Sequence, residues 1–290
     1  MKMLTSTEIN SIANVVGEEK AVELVGKAGF DAWDFSLFKM GPYDWANKCL
    51  KPSDHPLCGN EYLAFARKLK RIGEEYGIHC NQSHAPFPVY CKEIRDLYKK
   101  AIECTAEAGG TICVIHPDNF KSPEENSEMY LKMLPFAKEH GVKIATENMW
   151  NWSDEKGCAS PAACSSPESF LAHIKAVNDD HFVACLDIGH AEMFGVNTTA
   201  PEMINTLGSH LQALHIHDND LRHDSHNIPF SMSIDFEAVV KALKNVNYSG
   251  YLTLEADNYI HNIGAKSEDE VFAGVCELAN SAKKLNEMMK

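Results

Sequence analysis

Short apolar, β-branched segments alternate with longer amphipathic segments along the whole 290-residue chain. The alternation predicts eight strands, at Lys2–Ser6, Ala32–Leu37, Ile78–Ser83, Thr111–Ile115, Val142–Glu147, Phe182–Asp187, Leu211–His217 and Tyr251–Glu255. The helices predicted between and after them are Glu18–Ala28, Glu61–Tyr76, Lys92–Ala108, Pro123–His140, Ser166–Val177, Pro201–Leu207, Asp235–Val246 and Ser267–Met289. Strict alternation implies parallel strands joined by crossover helices. Eight such units in a chain of this length fit an α/β protein with a closed (β/α)₈ TIM barrel.

The chain reads as one domain over residues 1–290, because no low-complexity linker or block of charge divides it. A doubly wound open sheet is the competing architecture, but no Gly-rich fingerprint follows the first predicted strand. Residues 150–166 form a long irregular connection after the fifth strand in this interpretation. A connection of that length in a compact domain is typical of a lid or a binding loop.

Acidic residues outnumber basic ones by 41 to 27, a formal net charge of −14. Proteins that bind duplex nucleic acid usually present a basic face, so this balance argues against a nucleic-acid partner. The sequence contains no run of about 18 apolar residues, which is the length that predicts a membrane helix. Residues 1–5 lack the apolar region of a signal peptide. The ten cysteines include no CxxC pair and are expected to be mostly buried, reduced thiols. We therefore expect a cytoplasmic protein.

Six consecutive predicted strands end in histidine or acidic residues. These strand ends carry His84, His116, Glu147, Asp187 with His190, His215 with His217, and Glu255. In a barrel, the carboxyl ends of the strands meet at one mouth, where the chemistry takes place. Converging carboxylates raise one another's pKa unless a cation neutralises them. Histidine combined with carboxylate suits Mn²⁺, Co²⁺ or Zn²⁺, so the pattern predicts a divalent-metal site.

The spacing within these segments adds detail to the expected site. His215 and His217 are two apart on a strand and therefore face the same way, so that one can bind metal while the other holds a ligand or a substrate oxygen. Asp187 and His190 are separated by Ile-Gly, which we expect to let the chain turn so that both reach the mouth. Asp224 and His226 follow the seventh strand and form either a polar loop or a second cluster of ligands.

Four segments together resemble the xylose isomerase-like superfamily of divalent-metal TIM barrels. They are Thr146-Glu147-Asn148, Leu186-Asp187-Ile188-Gly189-His190, His215-Ile216-His217-Asp218-Asn219-Asp220 and Leu254-Glu255. The resemblance covers essentially the whole chain and includes ketose 3-epimerases, inosose dehydratase and apurinic-site endonucleases. From the ketose epimerases it implies a metal held by Glu147, Asp187, His217 and Glu255. It also implies that Glu147 and Glu255 are the acid/base pair and that His190 contacts a substrate oxygen.

The endonuclease branch of the same superfamily implies additional zinc ligands. The matching residues are His84, His116, His190, Asp224 and His226, so the chain has the residues for more than one ion. In the family, an apolar residue, Pro and a Gly-rich stretch often follow the D-x-H element. Here residues 227–235 read NIPFSMSID, without glycine, so this loop departs from the family pattern.

The resulting hypothesis is a divalent-metal-dependent sugar or sugar-phosphate isomerase or epimerase that abstracts a proton next to a carbonyl and passes through an enediolate. An apolar wall for the sugar is expected from Trp33, Phe87, Trp150 and Trp152, and Arg222 is the candidate partner for a phosphate or carboxylate. The alternatives are a multinuclear zinc hydrolase of the apurinic-site endonuclease type, a dehydratase, and a non-catalytic sugar-binding protein. The resemblance also leaves a homo-oligomer open.

Overall fold

The computed structural model describes residues 3–290. All eight predicted strands are present, with ends that differ by one or two residues, and Lys2 lies outside the described residues. Their bounds are Leu4–Thr7 (β1), Ala32–Ser36 (β2), His79–His84 (β3), Ile112–Val114 (β4), Lys143–Glu147 (β5), Phe182–Asp187 (β6), Leu211–His215 (β7) and Tyr251–Leu254 (β8).

The strands pair in parallel and form a barrel. Strands β2 to β7 make a six-stranded sheet in the order β7-β6-β5-β4-β3-β2, and β1 pairs with β8. Two short parallel bridges join these sheets, Glu8 with Asp34 and Ile216 with Leu254. Each strand therefore has a neighbour on both sides, and the predicted α/β TIM-barrel class is confirmed over the doubly wound alternative.

Eight crossover helices follow the strands, as the periodicity predicts. Their bounds are Glu18–Ala28 (α1), Tyr62–Glu75 (α2), Tyr98–Ala108 (α3), Pro123–Glu139 (α4), Pro167–Val177 (α5), Ala200–Leu207 (α6), Phe236–Asn245 (α7) and Glu268–Met288 (α8). Ser122 and Ser267 form capping boxes at the starts of α4 and α8. Gly29 and Gly109 end α1 and α3 with left-handed backbone.

The structure also contains short elements that the sequence did not predict. These are the helices Asn10–Val16, Ile188–Glu192 and Tyr259–Asn262, and the 3₁₀ turns Phe38–Met40, Pro56–Cys58 and Gly208–His210. The predicted helix Lys92–Ala108 is broken into the two helices Lys92–Arg95 and Tyr98–Ala108. An antiparallel hairpin pairs Tyr43–Asp44 with Cys49–Leu50.

A second hairpin corrects the interpretation of residues 150–166 as an irregular connection. Trp150–Ser153 pairs antiparallel with Cys158–Pro161, and Gly157 turns the chain between them with a φ of 60°. The alternation of aromatic and polar residues in Trp150-Asn151-Trp152 is the period-2 signal of a strand. The connection is therefore ordered by its own backbone hydrogen bonds.

The main core lies between the barrel wall and the surrounding helices. Trp33 belongs to it: its side chain is 0% exposed, and its ring packs against Phe35 at a centroid distance of 5.2 Å. The expectation that Trp33 lines a substrate pocket is therefore wrong, because its position in β2 directs the ring outward to the helix layer, close to Gly73. All ten cysteines are free thiols and six of them are buried, as expected of small apolar residues. No helix among residues 3–290 has both the length and the apolar character that spanning a membrane requires.

Candidate metal centre

Four side chains meet below the mouth of the barrel at the ends of β5, β6, β7 and β8. They are Glu147, Asp187, His215 and Glu255, each at most 6% exposed, with one ligand atom from each lying within 4.8 Å of the others. Nδ1 of His215 lies 3.0 Å from Oε1 of Glu147 and 3.3 Å from Oε2 of Glu255. The three carboxylates that the resemblance implies as ligands are therefore brought together.

His217, the fourth implied ligand, lies on the neighbouring side of Asp187. Its Nε2 is 3.1 Å from Oδ1 of Asp187, and its ring stacks on His226 at a centroid distance of 3.9 Å. It belongs to a second candidate group, made of Asp187, His190, His217 and His226. Asp187 thus joins the two groups, and the two histidines of the H-x-H segment are divided between them.

Four histidines of the site share one pattern of hydrogen bonds. Nδ1 donates to a main-chain carbonyl in His84 (Ala85, 3.1 Å), His190 (Asn148, 2.8 Å), His217 (Asp218, 3.4 Å) and His226 (Glu255, 2.8 Å). This bond fixes the tautomer and turns Nε2 toward the site, as in metal-binding histidines. His215 differs, because its Nε2 lies 3.4 Å from Asp34 and its Nδ1 faces Glu147. Both of its nitrogens therefore face carboxylates.

His84 and His116 form a third group with Glu147. Their Nε2 atoms are 2.9 Å apart, and Oε2 of Glu147 lies 3.5 Å from the first and 3.2 Å from the second. Burial lowers the pKa of His116 to about 4, against the hydrogen bond that it donates to Glu147, which would raise this pKa. A neutral imidazole is the form that binds metal, so this pair is suited to share a cation with Glu147.

Asp224 and His226 extend the site on the side of β8. Oδ2 of Asp224 lies 3.3 Å from Nε2 of His190 and 3.2 Å from Nε2 of His226. Burial would raise the pKa of Asp224, but the charges of these two histidines hold it well below its usual range. The sequence left a polar loop and a ligand cluster open for this segment, and the structure brings both residues into the site.

The acid/base pair implied by the resemblance has two different environments. Burial would raise the pKa of Glu147, but the charge of His215 and the hydrogen bond from His116 lower it well below its usual range. Burial raises the pKa of Glu255 well above its usual range, and the charge of Glu147 adds to the effect of burial although His215 opposes it. Environments that shift the pKa values of two carboxyl groups in opposite directions are typical of pairs made of a general base and a general acid.

Several buried carboxylate oxygens of this site accept no hydrogen bond of regular geometry, although imidazole nitrogens lie near three of them. They are Oε2 of Glu147, Oδ2 of Asp187, Oδ1 of Asp224 and Oδ1 of Asp257. A buried polar atom without a partner is costly, and a bound cation would satisfy such oxygens of its ligands. The donors are imidazole nitrogens and carboxylate oxygens, which suit Mn²⁺, Co²⁺ and Zn²⁺. The residues present therefore fit the divalent metal that the sequence predicts.

A cavity of about 450 Å³ opens above this site. Glu147 and Glu255 reach its floor, and Phe87 and Trp150 form part of its wall as expected. Trp152 and Arg222 are not among the described lining residues. Trp152 stacks on His223 at a centroid distance of 6.0 Å, and the Arg222 guanidinium lies against Gly157, where an added Cβ would be 3.1 Å from Nη2. The second hairpin holds both side chains outside the cavity.

Two acidic residues of the site have no role in the sequence-based hypothesis. Asp257 lies 3.0 Å from Nδ1 of His226. The sequence feature that could have identified it is its position two residues after Glu255. Asp34 lies under His215 and is 1% exposed. Asp34 could have been identified because it is a charged residue in the middle of an apolar strand. Charged residues are rarely buried without a partner.

Gly189 has a different role from the one expected of it. Its backbone lies in the short helix Ile188–Glu192 and not at a turn. A Cβ built on Gly189 would overlap the imidazole of His217, at 2.7 Å from Nδ1. The glycine therefore provides space for the ring of His217.

We expect Gly189→Ala to displace the His217 imidazole from Asp187 and to weaken Mn²⁺ binding by about 10–100-fold, the usual effect of disturbing the support of a ligand. Isothermal titration of the protein with Mn²⁺ measures this, with circular dichroism as the check on folding. Gly59→Ala is the matched control, because an added Cβ there meets only the carbonyl of Pro56 at 3.9 Å. Unchanged Mn²⁺ affinity in the Gly189 variant would contradict this role.

Comparisons with known proteins agree with this fold. Residues 22–275 match the family model described as the xylose isomerase-like TIM barrel. An uncharacterised protein of Methanocaldococcus jannaschii, MJ1311, is 27% identical over 281 residues, which cover 90% of this chain and 85% of that protein.

Two solved structures illustrate the likeness in fold. A D-tagatose 3-epimerase-like protein has a TM-score of 0.67 and 21% identity, with 100% of both chains covered. The 3-keto-D-glucoside 4-epimerase of E. coli has a TM-score of 0.67 and 15% identity, with 99% of both chains covered. At these identities the similarity concerns the fold.

Proposed function

Because this chain belongs to the xylose isomerase-like TIM barrel family, we propose that it is a divalent-metal-dependent sugar isomerase or epimerase. The observation that carries the proposal is the pair of buried carboxylates, Glu147 and Glu255, which line one cavity and both lie within 3.3 Å of Nδ1 of His215. Such a pair can remove a proton next to a carbonyl and return a proton to the intermediate. Its substrate is a small-molecule sugar.

We assign the metal to Glu147, Asp187, His217 and Glu255. His217 is chosen over His215 because its Nδ1 donates to a main-chain carbonyl and its Nε2 faces Asp187. The metal would supply Lewis-acid polarisation of the carbonyl beside the carbon that loses its proton. The groups around His84 with His116, and around Asp224 with His226, are candidates for additional ions or for contacts with the substrate.

In the proposed reaction, Glu147 removes the proton beside the carbonyl. Its carboxylate has three histidine neighbours, His84, His116 and His215, which orient it. Glu255 returns a proton to the enediolate. Return to the opposite face of the same carbon gives epimerisation, and return to the neighbouring carbon gives aldose–ketose isomerisation. His190, whose Nδ1 is fixed by Asn148, would orient a substrate hydroxyl at the cavity floor.

Proteins of similar fold support this assignment. The two solved structures compared above are described as a D-tagatose 3-epimerase-like protein and a 3-keto-D-glucoside 4-epimerase. Both descriptions name epimerases that act on a sugar with a keto group. The carboxylate pair of this chain is suited to the same class of reaction.

A panel of ketoses, aldoses and inososes in D₂O with added Mn²⁺ tests the proposal. We expect one class of sugar to acquire deuterium at a single carbon, together with an epimeric or isomeric product visible by NMR. Deuterium incorporation accompanied by loss of water would identify a dehydratase instead. Absence of exchange and of product across the whole panel would contradict the isomerase assignment.

A multinuclear zinc hydrolase is the second candidate function. The observation that favours it is the set of three adjoining groups, with His84 and His116 on one side of Glu147 and Asp224 with His226 on the side of His190. Elemental analysis of the purified protein separates the two candidates. Three tightly held zinc ions with cleavage of an abasic-site duplex would favour the hydrolase, whereas one exchangeable Mn²⁺ would favour the isomerase.

A further inference from the structure

The wall of the cavity is aromatic, in contrast to its charged floor. Six aromatic side chains line it: Phe38, Trp45, Phe87, Tyr90, Phe120 and Trp150. Three of them remain open to solvent, with exposed fractions of 58% for Trp45, 49% for Tyr90 and 81% for Phe120. Large apolar side chains grouped at the mouth of a cavity indicate a binding surface. We call Trp45, Tyr90 and Phe120 the aromatic rim.

This aromatic surface is continuous with the candidate metal ligands. Phe87 stacks on His116 with ring centroids 5.4 Å apart and an angle of 25°. Trp45 contacts Phe87 at 6.2 Å on the outer side. A ligand bound at the floor would therefore meet a path of aromatic rings that leads from His116 out to Trp45.

The lining of the cavity offers no lysine or arginine to a phosphate group, and its four imidazoles already face carboxylates. Among the described residues that line it, none is lysine or arginine, and five are acidic. Arg222, the residue expected to bind a phosphate, lies against Gly157. The ammonium group of Lys121 is 3.7 Å from Asp118, and Lys121 itself is not one of the described lining residues. A phosphate dianion would therefore face carboxylates without the Lys or Arg partner that usually binds it.

In the loop after β7, the main-chain donors of residues 232–234 are not free to bind a phosphate. Backbone N–H groups that point to one spot form an anion site in many proteins. Here the side chain of Asp218 already accepts such bonds from Met232 (2.8 Å), Ser233 (3.1 Å) and Ile234 (3.0 Å), and from Asn219 (2.9 Å). An internal carboxylate thus takes the place that an external anion would need.

We propose that the substrate is an uncharged, unphosphorylated sugar that has its carbonyl on one carbon and an apolar substituent, such as an aryl or alkyl aglycone, on another, and that this substituent lies on the aromatic rim. The inference rests on the proposed function for its sugar and extends it to the substrate class. The reacting carbons lie over Glu147 and Glu255, and the substituent leaves the cavity past Phe87 to Trp45 and Phe120. Apolar area removed from water provides the binding free energy for this part.

Binding of matched glycosides to the Mn²⁺-loaded protein tests the proposal. The probes are the 4-nitrophenyl and methyl glycosides of glucose, galactose and xylose, with glucose 6-phosphate as the charged probe, measured by isothermal titration. We expect the Kd of at least one 4-nitrophenyl glycoside to be about tenfold lower than that of the methyl glycoside of the same sugar. A difference of this size corresponds to one additional aromatic contact with the apolar area that it buries. We expect glucose 6-phosphate to bind no more tightly than the methyl glucoside.

Trp45→Ala and Phe120→Ala should each reduce this preference about fivefold, with little effect on the methyl glycosides. Both side chains are exposed, so the fold should be retained. Phe194→Ala is the matched control, since Phe194 is 72% exposed and is not one of the described residues of the cavity wall. A preference that survives both rim variants, or that Phe194→Ala reduces equally, would overturn the proposal.

Two other results would also overturn it. The first is tightest binding by glucose 6-phosphate, or no measurable binding by any 4-nitrophenyl glycoside. The second is the combination of two observations: the rim variants shift from oligomer to monomer by light scattering, and the unmodified protein shows no preference for aryl glycosides. The aromatic rim would then be an interface between two copies of the chain. Binding is measured without turnover, so an aryl preference in a protein inactive on every sugar would contradict the proposed function alone.

Discussion

Glu147→Gln and Glu255→Gln are each expected to lower kcat by about 10²–10⁴-fold, the range that a positioned general acid or base contributes. Glutamine keeps the shape of glutamate but cannot accept or deliver the proton. We expect the two variants to differ in D₂O. Glu147→Gln should stop deuterium exchange, because the proton is not removed. Glu255→Gln should still allow exchange through Glu147, while product formation falls.

Circular dichroism and urea unfolding check that both variants remain folded. Glu139→Gln, an exposed residue at the end of α4, is the matched control and should keep full activity. Full activity in either Glu147→Gln or Glu255→Gln would refute the acid/base assignment. If Glu255→Gln stops deuterium exchange and Glu147→Gln does not, then Glu255 is the base and Glu147 is the acid.

Removal of divalent metal by chelation and dialysis is expected to abolish turnover and to lower the thermal midpoint by roughly 5–10 °C. The first effect follows from the loss of carbonyl polarisation. The second follows from linkage, since an ion at 100 times its Kd stabilises a protein by about 2.7 kcal/mol, and each kcal/mol moves Tm by about 2–4 °C in a domain of this size. Activity assays and calorimetry before and after addition of Mn²⁺, Co²⁺ or Zn²⁺ measure both effects.

The two histidines of the H-x-H segment provide the control for this experiment. His217→Ala should lose the Mn²⁺-dependent rise in Tm, because the variant lacks a ligand. His215→Ala should keep that rise while kcat falls, because His215 holds Glu147 and Glu255 and is not itself a ligand in our assignment. An unaffected rate in metal-free protein would contradict the metal role. The opposite behaviour of the two variants would place His215 in the ligand set.

The local pattern of the chain was enough to predict the architecture. Strand and helix periods, with glycine and serine at helix ends, predicted all eight strand–helix units, and the main difference is the break in the predicted helix Lys92–Ala108 before Tyr98. Parallel strands carry their carboxyl ends to one mouth, so the order of strand-end residues also predicted that Glu147, Asp187 and Glu255 would meet. The antiparallel hairpin at Trp150–Ser153 was missed, although its period-2 alternation was present in the sequence.

The sequence by itself determined the barrel and the identity of the acidic and imidazole groups at its mouth, because both depend on periodicity and on distance along the chain. Only the tertiary structure decided which way each group faces. Trp33 turns to the helix layer and Trp45 to the cavity, and His215 and His217 face different partners although they are two residues apart. These choices depend on barrel closure and on contacts between distant segments, such as Gly189 with His217, and no local pattern encodes them.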